Sequence, residues 1–138
     1  MYQSKVKVRV RYAETDQMGY CYYGNYATYY EVARVNILRK IGISYSELEK
    51  QNYQMPVLDF NIKYIKPAYY DDELTILCKI PQIPKVRIKF DYESYNQNKE
   101  MINFGSTTLV FIDKLTKKPV NCPKILLDKL NQLIWKIK

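Results

Sequence analysis

The chain has 138 residues, 47% of them hydrophobic, a formal net charge of +8 and no histidine. Such a length suits one domain over 1–138 with a sizeable core, and such a composition excludes intrinsic disorder. No run is apolar for long enough to span a membrane, and the opening "MYQSKVKVRV" lacks a signal peptide's apolar stretch, so a cytoplasmic protein is expected.

In "KVKVRVRYA", Val6, Val8, Val10 and Tyr12 alternate with Lys5, Lys7, Arg9 and Arg11, which predicts a half-buried strand. The period changes over Asn25 to Ile41. Tyr26, Tyr30, Ala33, Ile37 and Ile41 follow steps of three and four, and Tyr29, Val32, Val35 and Leu38 widen the stripe. That arc predicts a helix buried on most sides, with Asn25 as N-cap and Gly42 as its stop. "SYSE", Ser44 to Glu47, predicts a capping box opening a short helix. Four strands follow. The first carries Leu58, Phe60, Ile62 and Tyr64 on one face and ends its regular part at Pro67. The second is "DELTILCKI". The third alternates Val86, Ile88, Phe90 and Tyr92 against Lys85, Arg87, Lys89 and Asp91. The fourth ends in Leu109 to Ile112, apolar on both faces, as in a central strand or an oligomer face. Pro123 then starts an amphipathic helix that runs to the last residue. One buried helix followed by hairpin-linked strands predicts an α+β fold, an antiparallel sheet wrapped around the helix.

Asp16 lies in a loop just past the first strand, and the long helix opens near Gly24 and Asn25. A helix N-terminus offers unpaired N–H groups and a partial positive charge, which polarise a carbonyl as negative charge develops on it. A carboxylate facing that spot can attack the carbonyl or deprotonate a water that does. This suffices for acyl transfer from an activated ester without histidine or metal. The opposing reading is that Asp16 is a turn former. Cys21, Cys78 and Cys122 are widely spaced and form no CxxC pair, so no metal site is expected and the thiols should be free. Cys21 lies inside this segment, but no histidine exists to activate it. The basic residues alternate along strands instead of forming an arm or recognition helix, so no nucleic-acid partner is expected. A positive field does suit a polyanionic small ligand, such as a nucleotide-bearing cofactor.

"YAETDQMGYCYYGNY" resembles the aromatic-x-x-x-Asp-x-x-Gly-x-x-x-(His/Tyr)-x-Asn-Tyr motif of the hotdog-fold acyl-CoA thioesterases, the 4-hydroxybenzoyl-CoA thioesterase-like family. "YIKPAYYDDELTI" is similar to the family's second signature, and "FDYESYNQ" and "TLVFIDKLTKKPV" fall in its order. The resemblance implies a five-stranded antiparallel sheet around one helix, and a homodimer or homotetramer. It implies an acyl-CoA substrate and no separate cofactor. By position it makes Asp16 the catalytic carboxylate and Tyr23 the residue whose backbone N–H polarises the thioester carbonyl. Gly24, Asn25 and Tyr26 match the residues that open the helix. Many members carry His where Tyr23 stands, and the 4-hydroxybenzoyl-CoA branch carries Tyr. The backbone role survives either residue; a side-chain role for that histidine does not.

On this reading Tyr26 and Tyr30 are expected at the acyl pocket, the alternative being core packing. Lys85, Arg87 and Lys89, with Lys66, are candidates for gripping CoA phosphates, the alternative being a solvated strand face. Glu14, two residues from Asp16, is expected to be an exposed strand-end carboxylate, the alternative being a group that supports Asp16 from behind. An acyl carrier protein is the alternative carrier, met by the basic row. A hotdog dehydratase fits less well, because those enzymes typically use a histidine. A silent acyl-CoA-binding protein would have no need of Asp16.

Overall fold

The computed structural model describes residues 1–137, with side chains through Leu133. Lys138, the end of the predicted C-terminal helix, lies outside the described residues, as do the side chains of 134–137. The elements in chain order are β1 (Tyr2–Arg9), a 3-10 turn (Tyr12–Glu14), α1 (Asn25–Ile41), α2 (Tyr45–Lys50), β2 (Tyr53–Gln54), β3 (Val57–Tyr64), β4 (Glu73–Ile80), β5 (Arg87–Tyr95), β6 (Met101–Val110), β7 (Ile112–Asp113) and α3 (Lys124–Ile137).

The period-two segments form one antiparallel sheet of five strands, in the order β1-β4-β5-β6-β3. Its inner face carries Leu74, Ile76, Cys78, Ile88, Phe90 and Tyr92, all buried against α1. The fold is the predicted α+β layout of sheet and enclosed helix. β2 and β7 form a separate two-residue ribbon that no sequence period marks.

Several expectations are corrected. β1 ends at Arg9, where its partner β4 begins at Glu73. Val10 still bonds the backbone of Asp71 and Asp72, but Tyr12 turns out into the 3-10 turn and is 77% exposed. The N-cap of α1 is Gly24, not Asn25. Asn25 is drawn away because its Nδ2 donates to the Glu14 carbonyl (2.7 Å). The buried stripe of α1 omits Val32, which is exposed, and includes Arg34. That guanidinium is tolerated inside because Nε donates to the Tyr45 hydroxyl (2.8 Å) and Nη1 to that of Tyr92 (3.3 Å). Leu109, Val110 and Phe111 are buried within the chain itself, in keeping with the central-strand alternative for that run. Gly42 ends α1 in the left-handed region (φ 96°), and Ser44 Oγ caps α2 through the Glu47 N–H, both as expected.

β3 forms one edge of the sheet, paired to β6 on one side only. A register shift between Val57 and Asp59 sets Val57 opposite Leu109 and Phe60 opposite Thr107. Beyond it, Ile62 faces Gly105 and Tyr64 faces Asn103. Gly105 permits this close pass, since a Cβ there would lie 2.1 Å from the Asn61 carbonyl oxygen and 3.0 Å from Ile62 Cα. Both atoms are backbone, so β3 itself must move to admit a methyl group. Gly105→Ala is therefore expected to destabilise the protein by about 1–3 kcal/mol, the usual range for overpacking. Urea unfolding checks this as a lowered midpoint relative to the parent.

Candidate active site

The segment between β1 and α1 folds as a small hairpin. Thr15 bridges Cys21, the Asp16 N–H donates to the Tyr20 carbonyl (3.0 Å), and the Gly19 N–H closes the tip on the Asp16 carbonyl (3.0 Å). A second loop, Lys66 to Tyr69, lies against it. The Cys21 N–H donates to the Ala68 carbonyl (2.7 Å), and Tyr20 bridges Tyr69. The two sequence signatures are thus side by side in space, although residues 27–63 of the chain lie between them.

Between the loops and the start of α1 opens a cleft of about 300 Å³, lined by Asp16, Tyr20, Tyr23, Tyr26, Tyr64 and Lys66 together with Met18, Cys21, Ile65 and Pro67. Asp16 is half-buried. Its Oδ1 accepts the Met18 N–H (2.9 Å), and Oδ2 has no hydrogen-bond partner among the described residues. The residue is therefore a turn former through one oxygen, with the second free at the cleft. Tyr23 and Gly24 immediately precede α1. The Tyr22 N–H and Asn25 Nδ2 both donate to the Glu14 carbonyl, at 2.8 and 2.7 Å. The backbone N–H groups of Tyr23 and Gly24, between them, donate to no acceptor among the described residues. Such orphan donors at a helix start are suited to an oxyanion. Tyr26 is buried, its ring 5.8 Å from that of Tyr64 across the cleft, and burial pushes its phenol up from the ordinary value.

Other site residues predicted from the sequence lie elsewhere. Tyr30 is fully buried, stacked on Tyr92 at 4.2 Å with its hydroxyl donating to Asn103 Oδ1 (2.6 Å), and it does not line the cleft. Arg87 and Lys89 stand opposite Val110 and Thr108, at the far end of the β5–β6 ladder from the cleft residue Lys66, which bonds at Ile102. Lys85, just before β5, does not line the cleft and is exposed like the other two. Lys66 is ion-paired with Glu100. Cys21 is buried, and burial raises its thiol pKa, which makes it a poor source of thiolate. No group of three or more His, Cys, Asp or Glu side chains able to hold a metal ion occurs among the described residues.

Glu14 is not the exposed carboxylate expected, being only 8% exposed. Its Oε1 accepts the Arg11 N–H (2.9 Å) and the Tyr29 hydroxyl (2.8 Å), and its Oε2 accepts Arg11 Nη2 (2.7 Å). The sequence signal for this anchor is the i, i+3 spacing of Arg11 and Glu14. From the sequence Tyr64 reads as a member of one strand face with Leu58, Phe60 and Ile62 and as the first residue of the second signature, not as a cleft residue.

Residues 18–102 match the family described as Thioesterase superfamily, a match that begins just after Asp16. YneP of Bacillus subtilis is 34% identical over 128 residues, covering 93% of this chain and 93% of that one. The acyl-CoA thioester hydrolase YbgC of Escherichia coli is 30% identical over 125 residues, covering 91% of this chain and 93% of its own. A crystal structure of a DHNA-CoA thioesterase from Staphylococcus aureus superposes with a TM-score of 0.89 at 35% identity, covering 100% of this chain and 97% of that one.

The Arg11 guanidinium, hydrogen-bonded to the Glu14 carboxyl, holds it below the usual carboxylate range. A lowered folded value means that the unfolded chain binds the extra proton first as pH falls. The contribution is whole at neutral pH and is lost as pH drops below about 4.3, the unfolded Glu value, through the folded one. Glu14→Gln should therefore lower the thermal midpoint at pH 7 and flatten its decline in acid. Melting curves across that range, parent against variant, check both effects.

Proposed function

The chain belongs to the thioesterase superfamily, and from that premise we propose that it hydrolyses an acyl-CoA thioester to the free acid and CoA. The observation that carries this reading is one cleft shared by Asp16 and by the helix start whose Tyr23 and Gly24 N–H groups have no protein acceptor. The thioester carbonyl oxygen is received by those N–H groups and polarised there. Asp16 then adds to the carbonyl carbon, giving an anhydride that water hydrolyses, or it takes the proton of a water that adds instead. In the first route the carbon–sulfur bond breaks with CoA leaving as a thiolate that takes its proton from solvent water; in the second the proton held by Asp16 passes to the departing sulfur as that bond breaks. Gly24 and Asn25 shape the helix start, Tyr26 walls the acyl side, and Lys66 is the cation at the cleft for the anionic carrier. The names of YbgC and of the Staphylococcus aureus thioesterase both specify CoA esters, which favours CoA over acyl carrier protein as that carrier.

A second copy belongs to this reading. β3 offers an unpaired edge, and Val57, Leu58, Phe60, Tyr64 and Ile65 on or beside it are exposed. A long apolar edge is an aggregation hazard unless it is covered. Antiparallel pairing of two β3 strands covers it and walls the cleft from the Tyr64 side. Multi-angle light scattering should give at least a dimer. A stable, active monomer would exclude the pairing.

The thioesterase reading is tested by thiol release from short, long and aromatic acyl-CoAs and from acyl carrier protein thioesters. Asp16→Ala and Asp16→Asn are each expected to lose at least about a hundredfold in turnover while remaining folded, the range for loss of a general base. Cys21→Ala is expected to stay within several-fold of the parent. Full activity in an Asp16 variant would remove that residue from the mechanism.

A further inference from the structure

We propose that Glu14 is a positioning residue for the reaction, fixing the Asp16 hairpin and the Tyr23–Gly24 donors in one geometry through its two ends. The proposal rests on the thioesterase reading above. A buried carboxylate is costly to desolvate, and an apolar side chain of like volume would often serve stability as well. Here the carboxylate is fully occupied, taking the Arg11 N–H, Arg11 Nη2 and the Tyr29 hydroxyl within 2.9 Å. Those partners come from Arg11, the cap of the 3-10 turn just beyond β1, and from the body of α1, so the side chain ties that turn to the helix. The other end of the residue is what the cleft depends on. Its carbonyl oxygen receives both the Tyr22 N–H and Asn25 Nδ2, the residues on either side of the two free N–H groups. With 22 and 25 returned to a single acceptor, Tyr23 and Gly24 have no neighbouring acceptor to collapse onto. Glu14 is also the base of the hairpin that carries Asp16, closed next to it by the Thr15–Cys21 bridge. A shift of Glu14 therefore moves the carboxylate of Asp16 relative to the helix start.

A misplacement of this kind acts on the chemical step. The carrier end of the substrate meets Lys66 and the outer cleft, which Glu14 does not touch. The expected signature is a loss in kcat with KM nearly constant. Glu14→Ala, assayed by thiol release at a temperature where circular dichroism shows it folded, should lose about a hundredfold in kcat, with KM within about threefold. Glu14→Gln keeps an acceptor oxygen for Tyr29 and should recover most of that loss. Tyr29→Phe deletes the helix-side bond to Glu14, together with the longer Tyr29 hydroxyl contact to Cys21 Sγ (3.6 Å) that Cys21→Ala controls for, and should lose about tenfold in kcat. Should Glu14→Ala fail to fold, Tyr29→Phe decides. A folded variant whose kcat stays within about twofold of the parent, whatever its melting temperature, makes Glu14 a stabilising residue only and overturns the proposal. Parent and Asp16→Ala are run alongside. A parent that releases no thiol removes the thioesterase reading and this proposal with it; a fully active Asp16→Ala removes Asp16 from the mechanism, and with it this proposal, while the thioesterase reading stands. An active parent, an inactive Asp16→Ala and an unimpaired Glu14→Ala overturn this proposal alone.

Discussion

The carbonyl oxygen of Glu14 is the interaction on which the site depends. Buried backbone polar groups nearly always find partners, and a helix start has several donors to satisfy. Here one acceptor takes the donors at 22 and 25, and the two N–H groups between them, at Tyr23 on the cleft wall and at Gly24 beside it, have no acceptor among the described residues. A helix start with free donors carries positive potential from backbone alone, reinforced by the aligned peptides of the helix, and on the proposed reading the thioester carbonyl meets that potential. It needs no histidine or metal for that purpose, and the chain has no histidine to give. Asp16 completes the pair. Its Oδ1 is committed to the turn through Met18, which leaves Oδ2 as the oxygen without a partner among the described residues.

The sheet serves the site by what it leaves uncovered. β4, β5 and β6 have neighbours on both sides, and their inner faces are filled by α1. β3 has one neighbour, and Gly105 lets it approach β6 closely. Tyr64 at the end of β3 is thereby held opposite Asn103 while its ring stays at the cleft, beside Tyr26. The same edge position that exposes Tyr64 also exposes Phe60 and Val57, so cleft access and the need for a partner along β3 have one structural origin.

Much of this was legible in the sequence, for reasons that differ by element. β4 and β5 were plain because each has one wet and one dry face, and period two reports that directly. The C-terminal end of α1 was plain because Gly42 is a strong stop. Asp16 could be flagged from its place between a strand and a helix start, and the motif resemblance added Tyr23. Glu14 was misread because its anchor partners Asn25 and Tyr29 lie 11 and 15 residues further on, beyond any local period. The N-cap was assigned one residue late for the same reason, since the Asn25 side chain answers to Glu14 instead of to its own helix. The alternation of Lys85, Arg87 and Lys89 correctly gave an exposed face. Alternation carries no information about position along the strand, and the row stands at the other end of the β5–β6 ladder from Lys66. The run Leu109 to Ile112 signalled cover on both sides without naming the cover, which for Leu109, Val110 and Phe111 is the chain's own.

The central claim is that the helix start polarises a thioester carbonyl beside Asp16. Isotope-edited vibrational spectroscopy of a carbonyl-13C acyl-CoA bound to Asp16→Asn reads that polarisation without turnover. The account predicts a carbonyl stretch at lower frequency than for the same thioester in water, because two N–H donors and the helix dipole draw charge onto the oxygen. A bound thioester whose carbonyl stretch matches or exceeds its frequency in water would contradict it.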